Sequence, residues 1–154
     1  MGEKIVVPLD GSKIGEAALP YVEDLVSKLS PQVKVEVVLL QVLGRLTHPI
    51  AAGVAAHEVP YTEEEMEQHE KKAMDYLNEV GEAIKSKGAM VTAKVLVGST
   101  SEEIVRIAEE INANLIAMST HGRSGFSRWA FGSVTDQVLR REGKIPITMV
   151  RAPR

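Results

Sequence analysis

The sequence predicts an α/β domain, a doubly wound five-stranded parallel sheet with helices on both faces. Three observations predict it. Short apolar runs recur at Ile5–Val7, Val33–Val42, Val91–Val97, Leu115–Met118 and Ile145–Val150. Stretches with helical period lie between them, and turn residues such as Gly11, Gly98 and Gly122 punctuate the joins. Alternation of this kind implies right-handed crossovers and a ligand crevice outside the carboxyl ends of the strands.

Ile5, Val6 and Val7 are β-branched and contiguous, as in a strand buried on both faces. Pro8-Leu9-Asp10-Gly11-Ser12 turns the chain, with Ser12 placed to cap a helix and Glu16 in its first turn. Ala18, Val22, Leu25 and Leu29 share one face of that helix, and Pro20 in its interior predicts a bend. Val33–Val42 passes from alternation to a continuous apolar run, as in a strand entering the centre of the sheet. Leu43 to Tyr61 carries Gly44, Pro49, Gly53 and Pro60 without a period and reads as a long loop beside the ligand, with AAGVAA as a short helical turn.

Thr62 to Lys87 is the longest helix expected. Its acidic start (Glu63, Glu64, Glu65) and basic end (Lys85, Lys87) complement the helix dipole, and Gly88 stops it. Met66, Ala73, Leu77, Val80 and Ile84 make its apolar face; the opposite charges read as solvated surface. Val91–Val97 is an expected strand near the sheet edge. Gly98-Ser99-Thr100-Ser101 then leads into a helix carrying Ile104, Ile107, Ala108 and Ile111. The last strand, Ile145–Val150, contains Pro146, which suits an edge.

A chain of 154 residues is the size of one domain, read here as 1–154, and buries roughly 70% of its unfolded surface. With one Trp, two Phe and three Tyr it lacks the stacking faces that single-stranded nucleic acid needs. A net charge of −3 lacks the basic excess that a phosphate backbone demands, so nucleic acid is not an expected partner. There is no cysteine, which removes disulfides and thiolate chemistry. No apolar run reaches the roughly 18 residues of a membrane span, and a cytoplasmic location is expected. His48, His57 and His69 lack a shared metal spacing, so no metal site is predicted.

Leu115 to Arg140 holds the chemistry. The strand ending at Met118 feeds Ser119-Thr120-His121-Gly122-Arg123-Ser124-Gly125, and a helix follows Gly132-Ser133 with Val134, Val138 and Leu139 on one face. Free backbone N–H groups and roughly half a positive charge at a helix start suit the phosphates of a nucleotide. Ser133 with Asp136 also fits a capping box, which needs no ligand. Asp10 admits two readings too, as a helix cap or as an acceptor for ribose hydroxyls.

These residues resemble the universal stress protein family over nearly the whole length. The matching segments are Lys4–Ser12, Leu39–Val42, Val97-Gly98 and the family's glycine pattern of Gly, two residues, Gly, nine residues, Gly, then Ser or Thr. Gly122 is the second glycine, Arg123 to Phe131 are the nine spacers, and Gly132-Ser133 close it; Ser119 stands where the first glycine belongs. The resemblance implies a Rossmann-like fold of the adenine nucleotide alpha hydrolase type. It further implies that Asp10 and the backbone of Val42 hold adenosine, that Gly98 lines the pocket, and that Gly122, Gly132 and Ser133 hold phosphates. Met118, Ser119, His121 and Arg123 complete the implied contact set, with His121 not catalytic.

The ligand so implied is ATP, with or without Mg²⁺, in a regulatory stress-response switch rather than a dedicated enzyme. No GxxxxGK[ST] phosphate loop occurs. A slow ATPase and a nucleotide-free dimeric scaffold remain the alternatives. Ile145, Ile147 and Met149 alternate on the last strand, through which the resemblance implies a homodimer, with a further protein partner of unknown identity.

Overall fold

The computed structural model describes residues 2–44, 47–52, 55–120 and 133–152. Strand β1 (Gly2–Pro8) leads through a 3-10 turn at Ile14–Ala17 into helix α1 (Ala18–Leu29). Strand β2 (Lys34–Leu43), a hairpin of β3 (Thr47–Ala52) and β4 (Ala55–Pro60), and helix α2 (Glu63–Ser86) follow. Then come β5 (Met90–Val97), α3 (Thr100–Glu110), β6 (Leu115–Ser119), α4 (Ser133–Arg140) and β7 (Ile147–Val150).

The main sheet has the order β5-β2-β1-β6-β7, and each neighbouring pair is parallel. Strand order reverses between β1 and β6, which is where a doubly wound sheet opens its crevice. One face, with Ile5, Val7, Val35, Val37 and Leu39, packs against α1 and α2. The other, with Val6, Val38, Leu40, Ile116 and Met118, packs against α3 and α4. Alternate residues of β1 and β2 thus serve opposite cores, which is why both strands read as continuous apolar runs.

The expected parallel sheet, its two helical layers and the edge positions of β5 and β7 are all present. Three local expectations are corrected. Residues 43–61 are not a period-free loop but largely an antiparallel hairpin, in which Ala51 and Ala52 pair with Ala56 and Ala55; these four alanines of AAGVAA, where a helical turn is expected, are strand, and its Gly53 and Val54 lie outside the described residues. Pro20 produces no mid-helix bend, because α1 begins at Ala18 and Pro20 lies in its first turn, where a missing N–H removes no helical hydrogen bond. Leu139 is 41% exposed, and Thr135 is buried with Val138 on the inner face of α4 instead.

Helix α2 keeps its expected limits for a physical reason. The Thr62 hydroxyl accepts from Glu65 N–H, and the Glu65 carboxylate accepts from Thr62 N–H, a reciprocal capping box. At the other end Gly88 adopts φ 107°, a conformation that releases the chain toward β5. Thr62→Ala should lower the unfolding free energy by about 1 kcal/mol in urea titration. Lys28→Ala, which removes an exposed pair with Asp24, should change it by less than about 0.5 kcal/mol.

Candidate functional site

At the carboxyl edge of the sheet, β1 stops before β2 does. Their pairing ends at Pro8–Leu40, and Leu9 N–H closes it on Leu40 O at 2.8 Å. β2 continues to Leu43, whose carbonyl accepts from Gly98 N–H on the β5 side. In a parallel strand alternate residues aim both backbone groups to the same side. Leu40 faces β1, so the N–H and C=O of Val42 face the same way, past the point where β1 has turned off at Asp10.

That departure opens a cleft of about 530 Å³ lined by Asp10, Gly11, Gln41, Val42, Leu43 and Gly44, with His69, Lys72, Ala73 and Tyr76 of α2 opposite. Gly11, at φ 84°, makes the turn. Asp10 Oδ1 accepts from Ser12 N–H at 2.9 Å and from the Ser12 hydroxyl at 2.6 Å. The Ser12 hydroxyl in turn accepts from Gly15 N–H at 3.0 Å, so Ser12 braces the entry to the 3-10 turn, whose N-cap is Lys13, rather than capping α1. A Cβ on Gly15 would lie 2.5 Å from Asp10 Oδ1, so only glycine leaves the carboxylate where it is.

On the α2 side, His69 stacks on Tyr61 with ring centroids 4.8 Å apart and planes 12° from parallel. Tyr61 joins the hairpin to α2, so this stack ties the base of the hairpin to the cleft wall. Gln41 Oε1 and the Tyr76 hydroxyl are both buried without a hydrogen-bond partner among the described residues. Burial, reinforced by the carboxylates of Glu16 and Asp10, pushes the Tyr76 phenol well above its ordinary value of 10.0, so it stays a donor. No group of three or more His, Asp or Glu suited to a metal occurs among the described residues.

The expected site residues divide. Asp10 and Val42 meet in the cleft. Gly98 does not line it but backs it, donating to Leu43 O at 3.0 Å. Met118 is 4% exposed and packs into the α3/α4 core. The Ser119 hydroxyl donates to Gly15 O at 2.7 Å and accepts from Ala18 N–H at 3.2 Å, locking β6 to the start of α1 at the strand-order reversal. Ser133 is the first residue of α4, and Asp136 accepts from Arg140 Nε at 2.8 Å. His121, Gly122, Arg123 and Gly132 lie outside the described residues. Sequence reasoning missed Gln41, His69, Lys72 and Tyr76. Gln41 is a polar residue within an apolar strand, and the other three recur at helical spacing, which together mark a polar patch between β2 and α2.

Fold and cleft together define a doubly wound α/β domain with its binding crevice at the strand ends. The chain belongs to the universal stress protein family, whose profile matches residues 1–151. Universal stress protein MJ0577 of Methanocaldococcus jannaschii is 29% identical over 160 residues, spanning 98% of this chain and 96% of that protein. A solved structure of MJ0577 superposes with a TM-score of 0.75 at 25% identity, covering 100% of this chain and 99% of the other. The fold is shared with a universal stress protein in complex with cAMP (TM-score 0.61, 20% identity, 99% and 98% covered). It is shared too with an Arabidopsis thaliana family member with AMP bound (0.63, 14%, 98% and 92%).

Two outcomes test this geometry. Ser119→Ala and Ser119→Gly should each destabilise the fold by about 1–3 kcal/mol in urea titration, because both remove the buried hydroxyl that joins Gly15 O to Ala18 N–H. Restoring the family's glycine should therefore not stabilise this chain. For Tyr76, the folded state holds a phenolic proton that the unfolded chain releases near its ordinary value of 10.0, so stability should fall as pH rises beyond that value. The 295 nm titration of wild type minus that of Tyr76→Phe should put this phenol above 10.0.

Proposed function

We propose that the chain is an adenine-nucleotide-binding regulatory protein that holds ATP, with or without Mg²⁺, and passes its bound state to a protein partner. The observation that carries this is the backbone edge of Val42 opening beside Asp10 in the cleft. An N–H and a C=O on one residue match the N1 acceptor and exocyclic N–H donor of adenine. Asp10, fixed by Ser12, offers a carboxylate to ribose hydroxyls. The cAMP and AMP complexes of the two family members support the same ligand class.

The triphosphate would run toward Gly122, Gly132 and Ser133, with Arg123 and His121 on the same segment and the start of α4 supplying dipole and N–H groups. Gly98, Met118 and Ser119 would act through the backbone and packing around the cleft, since the Ser119 hydroxyl is committed to Gly15 and Ala18. Binding rather than turnover is proposed, because phosphoryl transfer needs a positioned nucleophile and charge neutralisation. The Tyr61–His69 stack offers the route by which an occupied cleft would reposition the hairpin. A cytoplasmic location is part of the proposal; no helix among the described residues is long and apolar enough to cross a membrane.

A homodimer through β7 is part of the proposal. β7 ends the sheet, pairing on one side with β6, while Ile145, Ile147 and Met149 are half-buried against the α3/α4 core. Its outer edge is therefore the place for a second copy to add a strand. Light scattering at micromolar concentration should give twice the monomer mass.

Freshly purified protein, denatured and analysed by mass spectrometry, should release near-stoichiometric ATP and hydrolyse added ATP slowly. Asp10→Ala should weaken ATP binding by roughly tenfold or more, as expected for hydrogen bonds to a charged group. Protein that neither carries nor takes up ATP with Mg²⁺ would defeat the nucleotide reading and leave the dimeric scaffold. Sustained turnover would instead favour an ATPase.

A further inference from the structure

The β3–β4 hairpin forms a two-stranded sheet of its own, apart from the five-stranded one. Its register pairs His48 with Val59 and Ile50 with His57. Directly opposed residues of an antiparallel pair share a face, as do alternate residues along each strand. His48 and His57 therefore lie on one face as diagonal neighbours across the two strands, although nine positions separate them in sequence. The prolines hold that register. Pro49 and Pro60 both fall at the alternate pairs, which suits residues whose missing N–H is turned away from the ladder. A slip of one residue would turn one proline inward and put the two histidines on opposite faces. The hairpin has little else to hold it together. Four of its twelve paired residues are alanine and two are proline, and a lone two-stranded hairpin is marginal in water.

We propose that His48 and His57 form a two-histidine site for a divalent late transition ion, Zn²⁺ foremost, which ties β3 to β4. Diagonal positions on one face of an antiparallel pair lie about 7–8 Å apart, within reach of long side chains. Neutral imidazole is a ligand for Zn²⁺, Ni²⁺ and Cu²⁺, whereas Mg²⁺ takes oxygen donors. Each imidazole gives one ring nitrogen, and water fills the open positions. A metal held across the strands joins what the ladder alone holds weakly, so metal binding and hairpin formation support each other. Glu58, opposite Pro49, lies on the other face and takes no part. The site is independent of what the cleft binds.

The test is titration calorimetry of the chelator-stripped chain with Zn²⁺, Cu²⁺ and Mg²⁺. Wild type should take up one equivalent of Zn²⁺ or Cu²⁺ and no Mg²⁺ at this site. His48→Ala and His57→Ala should each weaken Zn²⁺ binding by roughly tenfold or more, at least what loss of an outer partner costs a metal site. The double variant should lose little beyond either single one, because one imidazole alone makes no site. Glu58→Gln should bind as wild type does. His57→Ala combined with Glu58→His keeps the histidine count but moves one imidazole to the other face, and should bind no better than His57→Ala. Electron paramagnetic resonance of the Cu²⁺ form of wild type should show two imidazole nitrogens. Zn²⁺ binding that survives either alanine variant, or that is restored by histidine at position 58, would overturn the assignment. So would a wild type that binds no Zn²⁺, or a Cu²⁺ spectrum with fewer than two imidazole nitrogens.

Discussion

The cleft depends on a mismatch of strand lengths. β1 ends at Pro8 because Leu9-Asp10-Gly11 turns the chain, while β2 runs three residues further, Gln41–Leu43, with β5 as its neighbour in the sheet there. A parallel strand that outlasts its partner must leave backbone groups without a ladder, and buried groups of that kind are costly. Among the described residues of β2 that edge falls at Val42, and α2 walls it. Ser12 and Gly15 then fix the Asp10 carboxylate at the mouth of the turn.

The position of α2 is equally constrained. A Cβ on Gly81 would lie 3.1 Å from Val91 Cγ1 and 3.2 Å from Leu39 Cδ1, so a larger residue there would have to push these side chains aside by a few tenths of an ångström. That contact lies toward the carboxyl half of the helix. Nearer its start, Ala73 is the small residue and His69, Lys72 and Tyr76 replace the apolar face. The helix therefore seals the core at one end and walls a cavity at the other. Sequence periodicity reports the first half of this arrangement and hides the second.

Much of the fold was legible in the sequence because its signals are local and strong. The apolar runs Ile5–Val7 and Val37–Leu40 announce buried strands without any tertiary knowledge, and the charge gradient and Gly88 delimit α2. The hairpin at 47–60 was not legible, since its pairing of Pro-bearing, alanine-rich strands has neither β-branched bias nor alternation. Pro20 misled for a different reason. The 3-10 turn delays the start of α1, and a proline in a first turn looks in sequence like one in an interior. Asp10 was legible from its chemistry as a cap or a ribose acceptor, between which the family resemblance chose, and Val42 was assigned by the resemblance. Gln41 and Tyr76 were missed because their meaning arises from two elements 35 residues apart meeting across one cavity, which no single window contains.

Charge gives the cleft a direction. Asp10 and Glu16 both act on the Tyr76 phenol, so the wall near the first turn is an acidic neighbourhood rich in acceptors. Like charges 4 Å apart repel by about 1 kcal/mol in water and about 4 kcal/mol at an effective dielectric of 20. An anion is therefore disfavoured close to Asp10, where hydroxyl and amino donors are favoured, while the cation Lys72 stands on the α2 wall opposite. The sheet's other half has the opposite character, because β6 ends at the strand-order reversal and the positive end of α4 lies beyond it in the chain. Ser119 sits between the two halves with its hydroxyl already engaged by Gly15 and Ala18. With a glycine at this position the same join would need another source of hydrogen bonds, so the serine adds rigidity where β1 and β6 part. A ligand entering the cleft would then meet a wall held rigid from both strands.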